Sequence, residues 1–454
     1  MRHDSERRAF VVGAGLAGSE AAWQLATRGI PVTLLEMRPS RMTEAHVTHQ
    51  CAELVCSNSF GSDAPNSASR ILKDEMQSLG SFILRTARQA QVPAGASLAV
   101  DRDLFSAGVT SSLEALPNIT REVREVTEIP LLRENEVLVI ATGPLTSRPL
   151  CEAIARLVGA GSLYFYDAIS PIVSADSLDL EKMFFANRYN KGESEDFLNV
   201  PLSREQYETL VDDLLAGEVV VPHDFEEEKY FEGCMPIEAI AARGRKTLAF
   251  GPLRPVGLFD PKGAPRAHAV IQLRTENRHR TAYNLVGFQT KLKYKEQERV
   301  FRKLPGLEKA EFLRLGSMHR NTFLNSPAIL SPTLQLRSSP RTFVAGQLTG
   351  TEGYLESAAT GLLAGMNAAR VLTGEAPIIL SPVTMLGALL TAITDPTRGN
   401  FQPMNANIGV LLPLETAVKD KQARNAAFAK RSLESLLSLS VNDLIRRREC
   451  DLEC

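Results

Sequence analysis

The feature that most constrains this chain is a glycine pattern near its start. Residues 13–18 read Gly-Ala-Gly-Leu-Ala-Gly, a G-x-G-x-x-G motif. A short apolar run at residues 9–12 precedes the motif, and a stretch with helical periodicity at residues 19–28 follows it. With the second apolar run at residues 31–36, this order predicts a β-α-β unit of the kind that binds a dinucleotide.

Each glycine of the motif has a predicted task. Gly13 allows a tight turn, Gly15 lets the backbone approach a pyrophosphate, and Gly18 lets helix and strand pack closely. The helix N-terminus adds amide donors and the positive end of a dipole. Glu36 ends the second apolar run and is predicted to accept hydrogen bonds from ribose hydroxyls. The other residues of the predicted cofactor-binding segment are Ala14, Leu16 and Ala17.

Two later segments favour FAD over NAD. Thr142 and Gly143 follow an apolar run, as in flavoproteins of the glutathione-reductase type. Gly346 precedes a glycine-rich loop and helix that resemble the C-terminal flavin motif of that group, where a helix N-terminus faces the isoalloxazine. The glycines of this loop and helix are Gly350, Gly353, Gly361 and Gly365. No second G-x-G-x-x-G occurs between a strand and a helix, so we expect NAD(P)H to visit the flavin only transiently.

The order of elements predicts an α/β protein. Residues 1–190 and 335–454 are expected to form a discontinuous, Rossmann-like FAD-binding domain of the glutathione-reductase type. Residues 191–334 are expected to form an inserted α+β domain with antiparallel sheet that contacts the substrate. Its short strand-like runs lie between Gly and Pro turns, at residues 247–250, 269–273 and 283–286.

Charge is distributed unevenly along the chain. Residues 191–232 hold 13 acids and 3 bases, whereas residues 243–303 hold 15 Lys or Arg and 4 acids. The net charge of the whole chain is nevertheless only −2. A basic segment of this density can follow a phosphate backbone, and the alternative is that the two segments pair with each other. Lys291, Lys293 and Lys295 would share one face if their segment is extended.

Composition limits the location and the metal chemistry. No apolar run reaches the roughly 20 residues of a membrane helix. The charged N-terminus leads directly into a strand, so we expect no secretory signal and a cytoplasmic protein. Six cysteines in 454 residues do not suggest a disulfide framework, and none has CxxC spacing with matched histidines. We therefore predict no metal site.

Several longer motifs together resemble one family, the folate-dependent tRNA uracil-5-methyltransferases. The similarity runs from about residue 9 to 372 and includes VVGAGLAGSEAA at 11–22, ELVCSNS at 53–59, FEGCMPIE at 231–238, MHRNTF at 318–323 and GYLESAA at 353–359. The resemblance implies 5,10-methylenetetrahydrofolate as carbon donor and FAD reduced by NAD(P)H. It also implies the T-loop uridine at position 54 of tRNA as acceptor.

Two cysteines in these motifs fit that chemistry. Uracil C5 is a poor nucleophile, and a thiolate that adds to C6 makes C5 able to attack a methylene electrophile. The resemblance implies that Cys234 attacks C6 and that Cys56 lies near the flavin and assists the methylene, while the reverse assignment stays open. The other cysteines are expected to be structural.

Other possibilities remain open from the sequence. A flavin oxidoreductase of a small molecule would need neither the basic segment nor two motif cysteines. The larger flavoprotein that modifies the tRNA wobble uridine shares the flavin domain but has a longer C-terminal helical region. Asp101 and Arg102 could hold flavin or folate or form a surface ion pair. His319, which lies in the MHRNTF motif, is a better candidate than His46 or His49 to bind phosphate or relay protons. The sequence does not indicate the oligomeric state.

Overall fold

The computed structural model describes residues 7–159, 163–190, 196–220, 235–263, 265–398 and 401–438. In chain order the strands are β1 (Arg8–Val12), β2 (Val32–Glu36), β3 (Ser59–Ser62), β4 (Gln91–Val92), β5 (Ser97–Val100), β6 (Ile119–Val123), β7 (Glu136–Ile140), β8 (Leu163–Ala168), β9 (Ile172–Ser174), β10 (Phe184–Phe185), β11 (Phe197–Leu202), β12 (Ala269–Thr275), β13 (Ala282–Leu285), β14 (Phe312–Arg314), β15 (Met318–Phe323), β16 (Gln335–Leu336) and β17 (Ser339–Val344). The α-helices are α1 (Leu16–Ala26), α2 (Ala68–Ser78), α3 (Phe82–Gln89), α4 (Arg102–Glu114), α5 (Arg148–Val158), α6 (Arg204–Ala216), α7 (Ile237–Ala242), α8 (Thr247–Phe250), α9 (Tyr294–Phe301), α10 (Ser326–Ile329), α11 (Tyr354–Thr373), α12 (Met385–Ile393) and α13 (Lys421–Leu437).

The first sheet has the predicted β1-α1-β2 unit at its centre. Its strands run in the order β16-β17-β7-β1-β2-β6, and all neighbours pair in parallel except β16 with β17. The apolar residues of β1 and β7 are almost fully buried, as expected for central strands covered on both faces. The predicted α/β class with a Rossmann-like sheet is confirmed.

Helices α1 and α11 pack against each other at very short range. A Cβ added at Gly361 would lie 2.2 Å from the Ala17 carbonyl oxygen, and one at Gly365 would lie 2.7 Å from the Ala21 carbonyl oxygen. Glycine is needed at both positions because any side chain would meet backbone. These two glycines, included in the flavin motif from the sequence, therefore serve helix packing.

The second sheet is antiparallel, as predicted, with the order β10-β11-β12-β13-β9-β14. Alternate residues of β11, β12 and β13 form an apolar face that is buried with α6 and α9. The opposite face carries polar side chains, and we call it the polar sheet face. Its members are Asn199, Gln272, Arg274 and Asn284.

Some local expectations differ from the structure. Residues 247–250 form helix α8 and not a strand, because a four-residue apolar run carries too few residues to separate the two periodicities. The strands expected at 269–273 and 283–286 are found as β12 and β13. Two strands of the antiparallel sheet, β9 and β10, precede residue 191, so we propose that the insertion begins before Ile172.

A buried carboxylate on α2 connects the C-terminal helices α12 and α13 to the Rossmann-like part of the protein. Glu75 of α2 accepts hydrogen bonds from the amides of Met385 and Leu386 at the start of α12, and from the Ser432 hydroxyl of α13. Burial raises the pKa of Glu75 to about 7. Within the described residues, no helix combines the length and apolar character needed to cross a membrane.

Candidate active site

A cleft opens at the carboxyl ends of β1, β2 and β7. The predicted cofactor residues that line it are Gly13, Gly15, Leu16, Ala17, Glu36, Thr142, Gly143 and Gly346. The remaining three, Ala14, Gly18 and Gly353, are not among its lining residues.

The three motif glycines differ in their surroundings. Gly13 has φ +96°, and a Cβ there would lie 2.6 Å from the Ala141 carbonyl oxygen. A Cβ at Gly18 would lie 1.8 Å from the Gly13 carbonyl oxygen. At Gly15, by contrast, a Cβ would meet no atom within 4 Å. The space beside Gly15 at the start of α1 thus suits a pyrophosphate, while Gly13 and Gly18 permit close backbone packing.

Glu36 is held as an ionised acceptor at the end of β2. Its Oε2 accepts a hydrogen bond from the Ala14 amide at 2.8 Å, and its Oε1 lies 3.0 Å from Arg38 Nε. Arg38 Nη1 also lies 3.1 Å from Glu53 Oε2. Burial alone would raise the pKa of Glu36, but the hydrogen bond and charge of Arg38 outweigh it and lower the pKa. Arg38 and Glu53 are site residues that the sequence did not reveal.

The histidines lie in three different situations. His46 lines the cleft, and its Nδ1 is 2.6 Å from Thr43 Oγ1. Burial and the nearby charge of Arg38 lower the pKa of His46 to about 4, so it is neutral at pH 7. His49 is exposed. The side chain of His319 lies outside the described residues.

Cys56 sits on a loop that is tied to the cleft. It is partly exposed and follows Val55, which lines the cleft. The hydroxyl oxygen of Tyr354, another lining residue, accepts hydrogen bonds from the Cys56 amide at 2.7 Å and the Ser57 amide at 3.2 Å. Tyr354 at the start of α11 therefore fixes the backbone that carries the sulfur. Its position within the GYLESAA motif was the only sequence signal for this role.

Arg102 holds the same loop from another side. It donates to the carbonyl oxygens of Leu54 and Cys56 and forms an ion pair with Glu276. Asp101 instead caps the start of α4. The alternative that Asp101 and Arg102 form a surface ion pair is therefore wrong. Arg102 instead contacts two backbone carbonyl oxygens and Glu276, which is distant in sequence.

The remaining cysteines have structural surroundings or are not described. Cys234 lies outside the described residues, so the assignment of the attacking cysteine stays a prediction. Cys51 is buried, and burial raises the pKa of its thiol, which disfavours the reactive thiolate. Cys151 Sγ lies 3.6 Å from the Thr146 carbonyl oxygen. Within the part of the chain that is described, no cluster of three His, Cys, Asp or Glu side chains could hold a metal ion.

Part of the basic segment pairs with part of the acidic one. Lys293 Nζ lies 2.8 Å from Glu218 Oε2. Arg299 and Lys303 both pair with Asp213 of α6. At the C-terminal end of the basic segment, the alternative that the basic and acidic segments pair with each other is therefore correct.

The proposed shared face of three lysines is not found. Lys293 precedes helix α9 and Lys295 lies within it, so the segment from Lys291 to Lys295 is not extended throughout. The expectation failed because it assumed a strand where the chain starts a helix.

The sequence matches known proteins over most of its length. Residues 8–376 match the family described as Glucose inhibited division protein A. The chain is 55% identical over 426 residues to methylenetetrahydrofolate--tRNA-(uracil-5-)-methyltransferase TrmFO of Geobacter sulfurreducens, covering 94% of this chain and 97% of that protein. It is 53% identical over 439 residues to the protein of the same name from Dictyoglomus thermophilum, covering 96% and 98%. The chain belongs to the methylenetetrahydrofolate--tRNA-(uracil-5-)-methyltransferase family. The resemblance drawn from the motifs is confirmed.

Two solved structures share the fold of this chain. Two crystal forms of Aquifex aeolicus GidA have TM-scores of 0.68 and 0.69 and 18% identity, covering 100% and 99% of this chain and 77% and 79% of theirs. At this identity the likeness shows the fold alone. The relatives named as uracil-5-methyltransferases, in contrast, are matched over nearly their full length at more than 50% identity.

Proposed function

We propose that this enzyme, a folate- and flavin-dependent tRNA uracil-5-methyltransferase by its family, forms 5-methyluridine at position 54 in the T loop of tRNA. The carbon comes from 5,10-methylenetetrahydrofolate, and NAD(P)H reduces the flavin. The observation that carries the proposal is the 55% identity to a protein named for this reaction, over 97% of its length. A cytoplasmic location follows from tRNA as substrate.

The cleft supports FAD as the bound flavin. The start of α1 and the open space at Gly15 suit the pyrophosphate, and the ionised Glu36 suits a ribose. Thr142, Gly143 and Gly346 continue the lining toward the start of α11, whose N-terminal amides favour negative charge. Bound FAD would supply the reducing equivalents that turn a transferred methylene into a methyl group. Gly353 serves this end indirectly, because its φ of +113° permits the turn into α11.

A direct assay tests the reaction. The purified protein, loaded with FAD, is incubated with a tRNA transcript, 5,10-methylenetetrahydrofolate and either NADH or NADPH. Nucleoside mass spectrometry should find 5-methyluridine, and a transcript with cytidine at position 54 should remain unmodified. Methylation at another position would correct the site, and its complete absence would contradict the proposed function.

We retain Cys234 as the residue that attacks C6 and Cys56 as the residue beside the flavin. The tie between the Cys56 loop and the cleft residue Tyr354 supports the second role. A tRNA with 5-fluorouridine traps the covalent adduct, because fluorine replaces the proton that must leave C5. Cys234→Ala should form no adduct. An adduct that persists in Cys234→Ala and maps to Cys56 would reverse the two roles.

We place a tRNA contact along residues 246–266, at the less acidic end of the basic segment. Phe250 and Phe259 expose 78% and 74% of their surface. Lys246, Arg254 and Arg266 are exposed on the same stretch, and none forms an ion pair with another described residue. Exposed aromatic rings suit bases, and cations without a partner among the described residues suit phosphates.

Charge reversal separates this surface from the paired one. Arg254→Glu with Arg266→Glu should weaken tRNA binding and reduce its salt dependence by about one charge for each lost phosphate contact. The control is Lys293→Gln, which removes a cation already paired with Glu218 and should change the slope little. Equal effects of the two changes would place the RNA elsewhere.

A further inference from the structure

A second pocket lies on the surface formed by α1, α2 and α3, and its described lining residues all differ from those of the flavin cleft. We call it the Trp23 pocket, because the half-buried Trp23 of α1 forms part of its wall. Phe82 stacks on the Trp23 ring, with the ring centroids 4.3 Å apart and an angle of 10° between the planes. The indole is therefore held in a defined orientation beside an accessible cavity.

The charge at the wall of the Trp23 pocket is positive. Arg85 and Arg88 of α3 line it, and among its described lining residues there is no acid. Arg88 is neutralised by Asp63, which accepts hydrogen bonds from both of its terminal nitrogens. Arg85 is exposed and forms no ion pair with a described acid, and its guanidinium lies 4.9 Å from the centre of the Trp23 ring. A planar aromatic group that carries an anion, as a nucleotide does, matches this combination of indole and cation.

The position of the Trp23 pocket excludes a ligand that reacts at the flavin. Gly15 lies at the start of α1, where the pyrophosphate is expected, and Trp23 lies farther along the same helix. At the helical rise of about 1.5 Å per residue, roughly 12 Å separates the two. The reacting rings of NAD(P)H and of the folate must meet the flavin, so neither ring can lie in this pocket. Its ligand is therefore a separate molecule or an outlying part of the large substrate.

The surface between the Trp23 pocket and Cys56 is continuous and basic. Gln89 lines the pocket, and its carbonyl oxygen accepts a hydrogen bond from the guanidinium of Arg278. Arg278 is exposed, and its amide donates to the carboxylate of Asp101. The next residue, Arg102, holds the Cys56 loop. An RNA that places one base at Cys56 continues on both sides of that base, and this surface offers cations to its phosphates.

We propose that the Trp23 pocket binds a nucleotide of the tRNA other than the reacting uridine, with the base in contact with the indole and a phosphate at Arg85. This inference rests on the proposed function and adds a second point at which the same substrate is held. Because every base has a π face, stacking on an aromatic ring tolerates any base. The pocket thus contributes affinity and positioning, while the choice of uridine is made at the flavin.

The chain carries its own reporter for this test, because Trp23 is its only tryptophan. A tRNA transcript titrated into the FAD-loaded enzyme should quench the fluorescence of this indole. The quenching should saturate together with the binding curve measured by filter retention. A transcript that binds without changing the fluorescence would overturn the proposal. Equal quenching by AMP or NADPH at the same concentration would also overturn it, because the pocket would then belong to a free nucleotide.

Substitutions distinguish stacking from an indirect change in fluorescence. Trp23→Leu should raise the Kd for tRNA about 5–100-fold, as expected for the loss of one base stack, whereas Trp23→Phe should retain most of the affinity. Arg85→Glu should also raise the Kd and should lower the salt slope by about one. Arg204→Glu is the matched control, because it makes the same charge change at an exposed arginine of α6 and should bind tRNA like the wild type.

Folding and flavin content are measured for each variant. Thermal unfolding and flavin absorbance should match the wild type in Arg85→Glu, whose side chain is exposed, so this variant tests the pocket even if Trp23→Leu unfolds. Wild-type tRNA affinity in a folded Arg85→Glu protein would overturn the proposal. A wild-type enzyme whose Trp23 fluorescence is quenched by tRNA, but which leaves position 54 unmethylated, would contradict the proposed function and support the pocket.

Discussion

Gly15 offers a clean way to separate cofactor binding from folding. Its φ of −73° is accessible to any L-residue, and a Cβ there would meet no protein atom within 4 Å. Gly15→Ala should therefore leave the apoprotein intact, or stabilise it by about 0.4–1 kcal/mol through the lower entropy of the unfolded chain. The added methyl group would project into the space that the pyrophosphate needs.

The expected loss of affinity follows from the hydrogen bonds at the helix start. A hydrogen bond to a charged group contributes about 1.5–3 kcal/mol. If the methyl group displaces the pyrophosphate from two amide donors, binding should weaken by about 3–6 kcal/mol, or about 10²–10⁴-fold. The purified wild-type enzyme should be yellow, whereas the variant should be colourless at micromolar concentration.

Gly18→Ala is the matched control. A Cβ at Gly18 would lie 1.8 Å from the Gly13 carbonyl oxygen, so α1 would have to move away from β1. This variant should lose both flavin and stability, whereas Gly15→Ala should lose flavin alone. Flavin absorbance and thermal unfolding of the apoproteins measure the two quantities. A Gly15→Ala protein with full flavin occupancy would refute the placement of the pyrophosphate.

Three further changes probe other contacts. Tyr354→Phe removes the acceptor of two amides and should speed alkylation of Cys56 by iodoacetamide about tenfold, with a loss of stability of about 1–2 kcal/mol; an unchanged alkylation rate would contradict the anchoring role. Because burial raises the pKa of Glu75 from 4.5 to about 7, the folded protein keeps a proton that the unfolded chain releases, and stability should fall by about 3 kcal/mol as pH rises across this interval. Glu75→Gln should flatten that decline in urea unfolding. Gly361→Ala would place a Cβ 2.2 Å from the Ala17 carbonyl oxygen and should lower stability by about 1–3 kcal/mol, visible as a lower melting temperature.

The cofactor half of the site could be predicted because its requirements are local. Gly13, Gly15 and Gly18 lie within six residues, and the strand before them and the helix after them are each visible as a periodic pattern. Glu36 follows at the end of the next strand. Steric demands on a turn leave a direct imprint on the identity of each residue, so a short window of sequence contains the whole signal.

The contacts around Cys56 could not be predicted, because they join distant parts of the chain. Tyr354 and Cys56 are 298 residues apart, and Arg102 and Glu276 are 174 apart. Neither pairing alters the local periodicity at either residue. The pairing of Arg274 with Asn284 likewise emerges only when β12 and β13 are aligned, since each residue alone fits a polar position on a strand.

The close contact between α1 and α11 has a consequence for the newly made chain. Strand β1 ends at Val12, but its sheet is completed only by β17 and its helix layer only by α11, which ends at Thr373. The antiparallel sheet, from Ile172 to Arg314, is contiguous and can form on the ribosome before the Rossmann-like sheet is closed. We expect stalled nascent chains to capture FAD only once α11 has emerged from the exit tunnel; capture by chains ending before Ser339 would show that the N-terminal unit binds the flavin unaided.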